Sequence, residues 1–75
     1  MDNIRSAYEN LEKLTKNYEN HVEIMLSQKD DKSKIAYEEI VNSIQYLIKM
    51  KEKYIGENGG EIKPYFKEEE KWKNI

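Results

Sequence analysis

Residues 4–28 read IRSAYENLEKLTKNYENHVEIMLSQ, and their spacing decides the fold. Ile4, Leu11, Tyr18 and Met25 stand seven residues apart. Ala7, Leu14, His21 and Gln28 form a second such row, and Tyr8, Thr15 and Val22 a third. A helix turns once per 3.6 residues, so rows of this kind share one face. The stretch therefore predicts an amphipathic helix of about seven turns.

The same scheme returns over residues 33–55. Tyr37, Ile44 and Lys51 make one row, Ile40, Leu47 and Tyr54 the next, and Val41, Ile48 and Ile55 a third. Between the two periodic stretches lies SQKDDKS, residues 27–33, polar throughout and rich in helix-capping side chains. So short a connection forces the helices to lie antiparallel as neighbours. The expected fold is all-α: a helix over about 3–28, a turn at 29–32 and a helix over about 33–55.

Each apolar face is three rows wide, more than the two-row seam that a single partner helix covers. The candidate core or oligomer face comprises Leu11, Leu14, Tyr18, His21 and Met25 with Tyr37, Ile40, Ile44, Leu47 and Ile48. Surplus width predicts self-association, a dimer closing a four-helix bundle, unless a third segment of the chain supplies the cover.

That segment would be residues 57–75. Gly56 follows the last apolar row and is the expected C-terminal glycine of the second helix. Glu57-Asn58-Gly59-Gly60 is a breaker, and Pro64 keeps its predecessor out of helical geometry. The stretch after it reads as an aromatic tail, with a short third helix opened by Pro64 or a hairpin over Asn58-Gly59 as alternatives. The tail carries Ile62, Tyr65, Phe66, Trp72 and Ile75. It either folds back on the helices or serves as an aromatic recognition segment. Tyr46 belongs to none of the rows. It joins Tyr65, Phe66, Trp72 and Ile75 as a candidate interface residue.

Composition bounds the function. Seventy-five residues make one small domain with a thin core. Ile, Leu, Val and Phe supply only sixteen residues, but their periodic order and the net charge of −2 oppose disorder. Without cysteine there is no disulfide staple, which adds weight to oligomerisation as the support. Thirteen basic residues are interleaved with fifteen acidic ones, which disfavours a phosphate-backbone footprint. No apolar run approaches the ~20 residues of a membrane span, and the first residues lack a signal-peptide pattern, so the expected location is cytoplasmic.

Chemistry finds few candidates. His21 is the only histidine, and it sits in an apolar row beside tyrosines, where a polar Tyr18–His21–Tyr37 cluster is expected. Glu19 and Glu23 flank it at a spacing that turns them off its face, so no metal site is expected. The serines lack a base, and the glycines form no phosphate loop. No catalytic residue and no cofactor are predicted. The sequence thus points to a binding protein: a small regulator or inhibitor, phage- or mobile-element-encoded, that docks onto a larger host protein and blocks it. A helical dimer that binds nucleic acid or nucleotide, from lysines such as Lys49, Lys51 and Lys53, is the alternative. A structural assembly subunit is the third.

Overall fold

A computed structural model describes residues 3–66. They form two α-helices, α1 (Asn3–Ser27) and α2 (Asp31–Glu57), packed against each other as an antiparallel hairpin. The described residues contain no strand. The hairpin over Asn58-Gly59 therefore does not form, because α2 runs on through Tyr54 and Ile55.

The ends of the helices follow from local chemistry. At the close of α1, the Ser27 hydroxyl and the Gln28 amide both donate to the Ile24 carbonyl, at 2.7 and 3.0 Å. One carbonyl has two lone pairs, so both side chains can use it. No glycine is needed there. Three residues later Asp30 is the N-cap of α2: its backbone is extended, and its carboxylate accepts from the Ser33 N–H at 3.0 Å. Those Ser33 hydrogen bonds hold the Asp30 carboxyl below its usual pKa of 3.8. With Asp30 as cap, α2 begins two residues earlier than the apolar pattern suggests.

Its other end corrects an expectation. Gly56 lies inside α2, and the left-handed residue is Gly59, at φ 87°. Asn58 is the C-cap, with its side-chain amide donating to the Tyr54 carbonyl at 2.8 Å. Gly60 N–H then reaches the Ile55 carbonyl at 2.8 Å, and Gly59 N–H reaches that of Gly56 at 3.3 Å. This pair of bonds is a Schellman motif, which satisfies carbonyls the helix end leaves free.

Gly60 is required for a different reason. A Cβ there would stand 2.6 Å from Ile55 Cγ2 and 3.0 Å from the Tyr8 hydroxyl. Ile55 is fully buried and branched at Cβ, so it has nowhere to swing. Gly60→Ala is expected to cost about 1–3 kcal/mol by overpacking. Thermal denaturation checks this; an unchanged midpoint would mean that the chain reversal can open without loss.

The core is thin. Tyr18 and Met25 from α1 meet Val41 and Ile48 from α2 in one buried cluster, and Ala7 and Ile55 are buried as well. Leu11, Leu14, Val22, Tyr37 and Ile44 pack half-buried around it. Gln45, which no apolar row includes, is buried as well.

Candidate protein-binding face

The buried residues divide the hairpin into two sides. Tyr18 and Ile48 point into the helix–helix seam. Successive helical residues turn by about 100°, and in an antiparallel pair the residue after each points to the same side. Glu19 and Lys49 therefore share one side, and Asn17 and Leu47 share the other.

Residues 60–66 occupy the first side. The chain turns back at Gly60 and runs along the helices as a strap. The Tyr8 hydroxyl donates to the Glu61 carbonyl at its start. Further on, the Tyr65 N–H donates to Glu52 Oε2 at 2.8 Å, and the Tyr65 hydroxyl donates to Glu19 Oε2 at 2.6 Å. Three rings lock the end of the strap. Tyr18 lies edge-to-face with Tyr65 at 6.0 Å and with Phe66 at 5.0 Å, and Tyr65 meets Phe66 the same way at 5.0 Å. The Lys49 ammonium sits 5.9 Å from the Phe66 ring centre, a weak cation–π contact.

Burial, together with the hydrogen bond to Glu19 and that residue's negative charge, pushes the Tyr65 hydroxyl up to about 12. A raised pKa means that the folded chain prefers the neutral phenol. The strap's stability from this contact is complete below the ordinary tyrosine value of 10.0 and is lost as pH rises through about 12. A spectrophotometric titration should show a late phase from Tyr65. Tyr65→Phe should reduce the late phase by one group; a late phase of unchanged amplitude would contradict the assignment.

The second side is open. A groove of about 440 Å3 runs between the helices there. Asn10, Leu14 and Asn17 line it from α1, and Leu47, Met50 and Tyr54 from α2. Lys13 and Lys51 are its charged members. Ile40 continues the Leu47–Tyr54 row toward the loop. On α2 the apolar side chains of this side remain 40–49% exposed: Ile40, Leu47, Met50 and Tyr54.

The candidate residues thus fall into separate groups. Tyr18, Met25 and Ile48 are buried; Leu11, Leu14, Tyr37 and Ile44 pack half-buried on the core. Ile40 and Leu47 face the open side. His21 is half-buried, and its Nδ1 lies 2.8 Å from the Asn17 carbonyl of its own helix, which requires the proton on that nitrogen. Tyr46 is 62% exposed. Tyr65 and Phe66 belong to the strap. Trp72 and Ile75 lie outside the described residues, as does most of the segment proposed for a third helix; Pro64, Tyr65 and Phe66 are not helical.

Sequence reasoning missed Glu19 and Glu52, the two anchors of Tyr65. Each looks like an ordinary solvated carboxylate, and nothing local marks it. It also missed Met50, which becomes significant only beside Leu47 and Tyr54. Among the described residues no group of three or more His, Asp or Glu side chains could hold a metal ion. No described helix is long and apolar enough to cross a membrane. No protein-family model, no curated protein and no solved structure matches the chain.

Proposed function

We propose that this chain is a non-enzymatic protein-binding regulator, and that its docking surface is the open side of the hairpin. The observation that carries the reading is a set of uncharged rows that flank the groove, whose only charged lining residues are Lys13 and Lys51. Asn3, Asn10 and Asn17 form one row along α1. Ile40, Leu47 and Tyr54 form a row on α2, with Ala36, Ser43 and Met50 beside them. None of these nine residues is charged, in a chain that is 37% charged. Interface centres are poor in charge and rich in Tyr and Met, whereas a solvated helix face is not. The groove lining contains no carboxylate, histidine, serine or threonine to pair with the Tyr54 hydroxyl.

As a regulator, the chain docks onto a larger protein and blocks one of its surfaces. Photo-crosslinking in the producing cell tests this. A benzophenone amino acid at position 47 should yield adducts, including one heavier than two copies of the 9.0 kDa chain. The same probe at Glu9, on the far side of α1, should yield none. Adducts from both positions, or from neither, would remove the reading.

A further inference from the structure

We infer that the open groove receives an amphipathic helix of the partner protein, one whose apolar face carries a carboxylate that sits between Lys13 and Lys51. This rests on the reading of that side as a protein-binding surface and adds the chemistry of what docks there.

Lys51 is the residue out of place. It continues the row of Tyr37 and Ile44, both apolar and half-buried, and it is itself half-buried in the groove lining. On a helix, residues three and four apart are neighbours, and those of Lys51 are Leu47, Ile48, Tyr54 and Ile55. None is an acid. Lys13 borders the same groove from α1. Neither lysine has a hydrogen bond or ion pair to another described residue. Two ammonium groups thus face one groove whose lining includes no carboxylate. A partly desolvated cation gains most from a counter-charge that the occupant brings, and a further cation there is repelled.

The shape selects a helix. The described residues offer no sheet edge that a strand could extend. The groove lies between two helices, and Ile40, Leu47 and Tyr54 run beside it as an exposed apolar row. From position 40 to 54 that row rises about 21 Å, the length of a four-turn helix. An amphipathic helix laid there packs its apolar ridge against Leu14, Leu47 and Met50.

Other occupants match less well. A second copy of the same side would add two more lysines to the groove and no acid. The chain's own acidic run, Glu68 to Glu70, begins two residues after Phe66, which is packed on the opposite side. A foreign helix carries no such tether. An anionic lipid surface is held by clusters of roughly four to eight basic residues, whereas this groove has two lysines in a chain of net charge −2.

Fluorescence anisotropy with the full chain and two labelled peptides tests this. Both peptides are helices of about 18 residues with leucines along one face. One has a glutamate in the middle of that face and the other a lysine. The glutamate peptide should bind about tenfold or more tighter, with a preference that shrinks as salt rises. Lys51→Glu should reverse the preference while helicity by circular dichroism is kept. Lys34→Glu, at an exposed position outside the groove, should not change it. Equal affinities, no binding of either peptide, or a preference that survives Lys13→Glu combined with Lys51→Glu would overturn the acidic helix. So would binding to phosphatidylserine vesicles that Lys51→Glu abolishes, which would give the groove to a membrane. Self-association in sedimentation that Leu47→Glu abolishes would give it to a second copy, and tighter peptide binding after glutamine replaces Glu68, Glu69 and Glu70 would give it to the chain's own acids. The probe at position 47 reads the docking surface separately. If it captures a heavier protein while the peptides show no preference, the regulator reading stands and the acidic helix falls; if it captures nothing, both fall.

Discussion

Ile48→Ala is expected to cost about 2–5 kcal/mol, the usual range for truncating a buried isoleucine to alanine. Ile48 is fully buried and lies in one cluster with Tyr18, Met25 and Val41. Those neighbours are spread along two stiff helices, so they can close over a vacated volume only by moving backbone. A chain of 75 residues has about 4–11 kcal/mol to lose, at about 0.05–0.15 kcal/mol per residue. The substitution therefore removes a large share of the total. Urea unfolding followed by circular dichroism should show a lower midpoint with an unchanged slope, since the same surface is still exposed. Leu47→Ala, one residue away and half exposed, separates the two sides of α2. It should leave the dilute chain nearly as stable as before and act only where a partner occupies the open side, through mass action. If both substitutions cost the same at every concentration, the division of α2 into a buried and an open row is wrong.

That division was only partly legible in the residues. The two helices and the antiparallel hairpin followed from seven-residue spacing and a short polar link, both of which are local signals. The two apolar rows of α2, Ile40–Leu47–Tyr54 and Val41–Ile48–Ile55, carry nearly the same chemistry and are one residue, about 100°, apart. Nothing along α2 says which of them meets α1. The docked pair decides it: Val41, Ile48 and Ile55 go to the seam, and Ile40, Leu47 and Tyr54 stay at the open side. The same holds for the chain reversal. Gly56, Gly59 and Gly60 are all breakers by composition. Only the Asn58 cap and the close approach of Ile55 to Gly60 show which one turns and which one must be small. Tyr65 finds Glu52 at a separation of 13 residues and Glu19 at 46, and no periodicity encodes contacts of that kind.

Tyr18→Ala tests what holds the strap, and it is expected to be nearly as costly as Ile48→Ala, on the order of 3 kcal/mol. Tyr18 has two neighbourhoods. One edge belongs to the seam with Met25, Val41 and Ile48, and the ring also carries Tyr65 and Phe66. Each aromatic pair contributes roughly 0.5–1.5 kcal/mol beyond burial. Without the ring, Tyr65 loses both the surface that desolvates it and the wall that aims its hydroxyl at Glu19. Its ionisation should then fall from about 12 toward the ordinary 10.0, and amide exchange over residues 62–66 should speed up. Glu19→Gln gives the complementary result. It removes the charge but leaves the rings stacked, so the late ionisation should shift while exchange over 62–66 stays slow. Should Tyr18→Ala leave both readouts unchanged, the strap is held by its polar contacts to Glu19 and Glu52 alone, and the three-ring cluster contributes nothing to closing that side of the hairpin. A strap anchored through Tyr18 instead couples the covered side to the core. A partner could then compete for the open side, where Leu47 stands exposed, without disturbing the closure opposite.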